Sequence, residues 1–312
     1  MREFVIEKVI EVKNLVKKYN NFAAVDNTSF DVYRGEVFGL IGENGAGKTT
    51  TLEIIEGLRQ PTSGEVKVLG FDIKKHLREV KREIGIQLQS SAYYHYLKLD
   101  EIVDLFASFY DIEVDPVGLL KQVGLEAKRH EYVNNLSGGQ KQRFSIVASL
   151  INDPEIVFLD EPTTGLDPIS RRNLWDIISA IKKKGKTIIL TTHYMEEAEI
   201  LCDRIGIMDN GKIVAIDETH ELIKHAKHPI KVKFVTKGLK KDLEKFSVFG
   251  ELDYVAGKEY HYELVLNKKS DLNKVLKEID KYNPIDLTVS KASLEDVFIE
   301  LTGRNIMEEE SV

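Results

Sequence analysis

The feature that most constrains this chain is one short run, Gly42-Glu43-Asn44-Gly45-Ala46-Gly47-Lys48-Thr49. It lies between a compact apolar segment, EVFGLI at 36–41, and the stretch TTTLEIIEGL. The first reads as a buried strand and the second as a helix stopped by Gly57 and Pro61. Glycines at these spacings let the backbone wrap so that successive N–H groups point inward, a cradle for a densely charged polyphosphate. The helix that follows starts at the cradle and turns its positive end toward it, with Thr50 in its first turn. Lys48 supplies a point charge to the β- and γ-phosphates, and the Thr49 hydroxyl is placed to ligate Mg²⁺. The expected ligand is therefore a polyphosphate carrying Mg²⁺.

A second apolar strand, IVFLD at 156–160, ends in two carboxylates, Asp160 and Glu161. If it neighbours the cradle strand, Asp160 falls beside the metal. Glu161, one residue on, points toward the γ-phosphate, where it positions or deprotonates an attacking water.

A third motif, Leu136-Ser137-Gly138-Gly139-Gln140, precedes the helical stretch KQRFSIVASL. Ser137 is a good N-cap, and the glycines again expose backbone N–H groups. It is thus a second anion-binding helix start in one chain. On a separate helical insertion it does not easily reach the first cradle. A second copy of the chain resolves this, each copy's motif facing the other's cradle.

With these motifs in this order, residues 1 to about 220 resemble the ATP-binding subunits of ABC transporters. The ending SLEDVFIELTGR is similar to that of multidrug, antibiotic-resistance and sodium-efflux exporter subunits, which pair with a separate membrane permease. The resemblance implies a P-loop NTPase cassette of class α/β: a mixed, mostly parallel sheet, an antiparallel subdomain and a helical insertion. It further implies Tyr19 as the aromatic stacked on adenine and Gln89 as the Q-loop glutamine touching Mg²⁺. Gln87 competes for that place, but only Gln89 keeps the family register. Asp167 falls in the D-loop, which contacts the other subunit, and also suits the N-cap of a helix opening at Pro168. His193 corresponds to the switch histidine that reaches the γ-phosphate. Tyr93, Tyr94 and Tyr96 lie where relatives dock the permease, or else pack the insertion on the core.

The remaining sequence sets limits. Strands alternating with helices argue an α/β core, with the helical insertion at about 91–149. A boundary is expected near Lys227-His228-Pro229, giving a cassette over 1–226 and an accessory domain over 227–312. The latter's order, β-α-β-β-α-β and a final helix, suggests a ferredoxin-like α+β fold. The formal net charge of -7 gives no reason to expect nucleic acid as partner. The alternative, a soluble ABC ATPase acting on ribosomes or DNA, is disfavoured because the chain reads as one cassette with neither heptads nor clustered cysteines. The single cysteine, Cys202, permits no disulfide within the chain and reads as a small buried apolar residue. The N-terminus lacks the apolar core of a signal peptide, and no window approaches the ~20 apolar residues of a membrane helix. The expected place is the cytoplasmic face of the cell membrane. The expected partners are ATP, a second copy or a paralogous cassette, and a permease.

Overall fold

The computed structural model describes residues 7–87, 93–94, 96–227, 229–237 and 241–303. The chain divides into two compact units, Met1–Asp217 and Glu218–Val312.

The first unit is built on two sheets. Strands β3 (Val37–Ile41), β6 (Ile84–Gln87), β7 (Ile156–Asp160), β8 (Thr187–Thr192), β9 (Arg204–Asp209) and β10 (Lys212–Glu218) form a six-stranded sheet ordered β10-β9-β3-β8-β7-β6. The pairings β9–β3, β3–β8, β8–β7 and β7–β6 are all parallel. β3, β7 and β8 are buried at every residue. That is why they read as unbroken apolar runs rather than alternating ones. Strands β1 (Lys8–Tyr19), β2 (Phe22–Tyr33), β4 (Ser63–Val68) and β5 (Phe71–Asp72) form an antiparallel sheet ordered β2-β1-β4-β5. Phe30 of β2 stacks on Phe38 of β3, ring centroids 5.3 Å apart, inside the cluster that joins the two sheets.

Helices α1 (Lys48–Ile55), α2 (Leu77–Glu83), α6 (Pro168–Lys183) and α7 (Met195–Leu201) link the strands. The insertion carries α3 (Leu99–Tyr110), α4 (Pro116–Lys121) and α5 (Gly138–Ser149). Leu99, Ile102, Val103, Leu120, Phe144 and Val147 pack it around a core of its own. Asp115 caps α4, its side chain accepting from Val117 N at 3.0 Å, with Pro116 in the first turn as the sequence expects.

The second unit holds α8 (Thr219–Lys224), β11 (Ile230–Thr236), β12 (Gly250–Ala256), β13 (Tyr260–Leu266), α9 (Leu272–Asp280), β14 (Asp286–Lys291) and α10 (Leu294–Thr302). Its antiparallel sheet runs β12-β13-β11-β14, the strand order of a β-α-β-β-α-β unit. The helix expected between β11 and β12 is a 3₁₀ segment, Lys241–Val248. The division between the units falls at Asp217, ahead of the expected 226, because α8 packs against α10. Among the described residues no helix is long and apolar enough to cross a membrane.

Candidate functional site

The phosphate loop leaves the buried end of β3 at the middle of the six-stranded sheet and feeds α1. Two glycines are dictated by space. A Cβ on Gly42 would stand 2.3 Å from the Met208 carbonyl oxygen. One on Gly47 would stand 2.3 Å from the Ala24 carbonyl oxygen, at a φ of 102° that disfavours any side chain. Gly47 is also the N-cap of α1, and no side chain caps that helix. Its first N–H groups, from Lys48, Thr49 and Thr50, therefore point into the loop as an anion would need. Glu43, Asn44, Gly45 and Ala46 complete the turn.

Lys48 is buried. Its ammonium donates to the carbonyl oxygens of Gly42 (2.8 Å) and Glu43 (3.0 Å) and lies 3.6 Å from Glu161 Oε1. Burial pushes its pKa down, against the pull of Glu161 and Asp160.

Asp160 ends β7. The sequence reading put Asp160 beside the metal on the condition that β7 neighbours β3, and β8 lies between them. Parallel crossovers leave strand order open, since each connecting helix spans whatever neighbour intervenes. The side chains meet all the same: Thr49 Oγ1 donates to Asp160 Oδ1 at 3.3 Å. Burial raises the Asp160 carboxyl, while hydrogen bonds from Thr191 and Thr49 oppose it.

Glu161 follows at φ 47°, a left-handed backbone that a non-glycine residue adopts at a cost. Thr191 of β8 holds this corner. Its hydroxyl accepts from Glu161 N at 3.0 Å and donates to Asp160 Oδ1, and its carbonyl accepts from Glu161 N at 3.1 Å. Thr164 Oγ1 donates to Glu161 Oε2 at 3.1 Å. His193 Nδ1 stands 3.3 Å from the same oxygen, though off the line of a good hydrogen bond. The neighbouring His193 and the Lys48 charge hold the Glu161 carboxyl at about 2, against the effect of burial. The Thr191 and Thr164 contacts were not singled out from sequence. The only signal for Thr191 is its place at the end of an apolar strand, two residues before His193.

Tyr19, the last residue of β1, is 39% exposed, with Lys17 Nζ 5.1 Å and Arg59 Cζ 5.5 Å from its ring centroid. Ser137 and Gln140 form a capping box on α5: Ser137 Oγ accepts from Gln140 N at 3.3 Å, and Gln140 Oε1 accepts from Ser137 N at 2.9 Å. Ser137 and Gly138 are exposed. A Cβ on Gly139 would touch Ser170 Oγ at 3.0 Å, so this helix start adjoins that of α6. Asp167 caps α6, accepting from Ile169 N and Ser170 N at 3.0 Å each. Gln89 lies outside the described residues, whereas Gln87 is the buried last residue of β6. Tyr93 is packed against Phe144 and Phe106 at 5.1 and 6.2 Å between centroids. Tyr94 and Tyr96 are 59% and 91% exposed.

The structure thus brings Lys48, Thr49, Asp160, Glu161 and His193 together around one loop. A cavity of about 380 Å³ lies elsewhere, between α4 and the C-terminal ends of α5 and α6, and no residue of this site lines it. Among the described residues no group of three or more His, Cys, Asp or Glu side chains could hold a metal unaided. Thr49 and Asp160 fit the sparse protein share of a magnesium site, in which phosphate oxygens and water supply the rest.

Known proteins are similar to this chain in sequence and fold. The family profile described as "ABC transporter" matches residues 25–164. A Nod factor export ATP-binding protein of Ralstonia nicotianae is 40% identical over 222 residues, 70% of this chain and 69% of that protein. A fluoroquinolones export ATP-binding protein of Mycobacterium tuberculosis is 36% identical over 307 residues, 96% of this chain and 95% of that protein. Among solved structures, a dimeric ATP-binding cassette in a post-hydrolysis state, bound to ADP and Pi, is 28% identical with a TM-score of 0.62. That match covers 67% of this chain and 98% of the cassette.

Proposed function

The chain belongs to the ABC transporter family of ATP-binding, ATP-hydrolysing proteins, and on that premise we propose that it is the motor of an exporter. Two copies, or this chain and a paralogous cassette, close around two ATP molecules at the cytoplasmic face of the membrane. Their closure and reopening drive a separate permease. The observation that carries this is the convergence of Lys48, Thr49, Asp160, Glu161 and His193 on the glycine loop. The export direction is supported by the names of relatives that match the chain along nearly its whole length.

The residues take the following roles. The loop N–H groups and Lys48 bind the phosphates, and Tyr19 stacks on adenine. Glu161 orients a water and takes its proton as the water oxygen bonds to the γ-phosphorus. The bond from the γ-phosphorus to the bridging oxygen breaks, and ADP departs. His193 lies next to Glu161 and donates to the γ-phosphate. Thr49 and Asp160, with Gln89 of the Q-loop, would hold magnesium, which would supply positive charge beside the phosphates. Ser137 with the N–H groups of Gly138, Gly139 and Gln140 serves the twin's nucleotide, and Asp167 lies at the contact between the two copies. The exposed Tyr94 and Tyr96 suit a permease contact, whereas Tyr93 serves packing.

The test is association. Glu161→Gln with excess Mg²⁺ and ATP should double in mass by light scattering, and Ser137→Arg in that background should return it to a single copy. A Glu161→Gln protein that binds ATP yet stays single would overturn the pairing of two copies of this chain.

A further inference from the structure

Beyond the five converging side chains, a second layer stands behind His193. Arg171 lies in the first turn of α6, its N–H bonded to the carbonyl of the N-cap Asp167 at 2.9 Å. Its guanidinium carbon is 4.1 Å from the ring centroid of Tyr194. Arg171 Nε is buried and makes no hydrogen bond, so its place is set by the aromatic ring and by charge. That charge acts on Glu197, which is fully buried and accepts from Trp175 Nε1 of α6 at 3.0 Å. Tyr194 also meets the imidazole of His193, ring centroids 4.1 Å apart and tilted by 42°. Its N–H donates to Thr192 Oγ1 at 2.9 Å, which fastens the turn at the end of β8.

Among the described residues little else orients His193. Its side chain is 23% exposed, and Glu161, 3.3 Å away, is not aligned for a good hydrogen bond. An imidazole serving a phosphate must hold one ring plane, because its two nitrogens differ in what they donate and accept. A displacement of about 1 Å at such a group costs on the order of a hundredfold in rate.

We propose that Tyr194 is a positioning residue for ATP hydrolysis: gripped by Arg171, its ring sets the plane of the His193 imidazole and ties it to the start of α6. This rests on the reading of His193 as the group at the γ-phosphate. It adds that the ring next in the chain, and the arginine beneath it, are required for His193 to act. Because α6 opens at Asp167 and adjoins Gly139 at Ser170, whatever shifts that helix start also turns the histidine.

Four variants of the full chain test it: Tyr194→Phe, Tyr194→Leu, Arg171→Met and His193→Ala. Each is first checked for folding by the fluorescence of Trp175. Steady-state and single-turnover ATPase rates give kcat and KM. Tyr194→Leu and Arg171→Met are expected to lower kcat about 10- to 100-fold with KM for ATP within about threefold. Tyr194→Phe, which keeps the ring, should stay within about twofold of the parent. In the His193→Ala background, Tyr194→Leu should add less than about twofold, because the two act as a unit. Three results overturn the proposal alone: full turnover in Tyr194→Leu, an equal loss in Tyr194→Phe, or an undiminished Tyr194→Leu effect without the histidine. Full turnover in His193→Ala overturns the reading of His193 and this proposal with it. Arg171→Met removes the same grip from the other side, so the test does not depend on one variant folding.

Discussion

Glu161→Gln separates electrostatics from shape at the centre of the site. The carboxylate lies 3.6 Å from Lys48 Nζ and 3.3 Å from His193 Nδ1, and its pKa falls from 4.5 to about 2. At about 1.4 kcal/mol per pKa unit, that drop is worth at most about 3 kcal/mol in favour of the ionised folded form, because its largest share comes from His193, which is poorly aligned for a hydrogen bond. The folded value lies below the unfolded one. The stabilisation is therefore fully present above pH 4.5 and is lost as pH falls toward 2. Glutamine keeps the shape and an acceptor for Thr164 but has no charge to lose. Without added nucleotide at pH 7, the variant should be less stable by roughly 1–3 kcal/mol, or about 3–10 °C in Tm for a unit of this size. By pH 3 the deficit should shrink to less than half. The chain has one tryptophan, Trp175, buried in α6 of the first unit, so urea titrations followed by its fluorescence report on this unit. In parallel, turnover should fall by about 10²- to 10⁴-fold, the usual contribution of a general base. A variant as stable as the parent at pH 7, or a deficit unchanged at pH 3, would refute the charge argument. Turnover within threefold of the parent would refute the base.

Two further changes test other parts of the first unit. Tyr19→Ala should weaken ATP binding by about tenfold or more, as base stacking on an aromatic is worth ~1–3 kcal/mol, while turnover at saturation persists; unchanged affinity in a fluorescent-nucleotide titration refutes the stacking. Glu56, at the end of α1, is buried with Oε1 unpartnered, and burial, reinforced by the Asp160 and Glu53 charges, pushes its carboxyl up to about 8. Folding thus retains a proton that the unfolded chain releases above pH 4.5, and stability falls as pH rises from there to about 8. Glu56→Gln should therefore stabilise the first unit by on the order of 1–3 kcal/mol at pH 8 and by little at pH 4. An equal gain at both values, or a loss at pH 8, contradicts it.

What could be read from sequence followed from where chemistry demands a local pattern. The cradle was legible because an apolar run, a glycine turn and a helix start must be contiguous. Asp160 and Glu161 were legible only in company: an apolar run ending in two carboxylates is common, and it gains meaning by following a phosphate loop about a hundred residues earlier. Strand order was not, because nothing local in IVFLD says that β8 rather than β3 is its neighbour. Nor were the full lengths of β1 and β2. Register shifts between Val12 and Leu15 and between Leu15 and Lys17 break the alternation, and Asn14 and Asn27 take left-handed backbones within the strands. Only short stretches of either strand, Val9 to Val16 and Phe30 to Tyr33, therefore alternate as a strand should. Lys241–Val248 has the apolar spacing of a helix, yet it takes the tighter 3₁₀ form beside β12, which spacing alone does not distinguish. Glu56 was silent because a single carboxylate at the end of an amphipathic stretch reads as a solvated one, and only burial shows otherwise.

The charges at the loop also suggest why the base waits for its substrate. Lys48 is spread over two loop carbonyls and Glu161, while Asp160 carries a raised carboxyl in the same buried corner. On the proposed reading, phosphate oxygens draw the Lys48 ammonium away from Glu161 and bring negative charge of their own. Both changes raise the Glu161 pKa from about 2 toward the range in which a carboxylate accepts a proton usefully. Cationic charge held at Thr49 and Asp160 relieves the opposite strain, favouring ionised Asp160 where burial disfavours it. On the proposed reading, His193 first and Lys48 second hold the resting carboxyl low, and the lysine relaxes its share when it turns to phosphate. Lys48→Gln should accordingly remove both effects, losing phosphate affinity and raising the resting Glu161 pKa. A resting acid limb that stays in place in that variant, read by the same pH-dependent unfolding of the first unit, would break the link between the two.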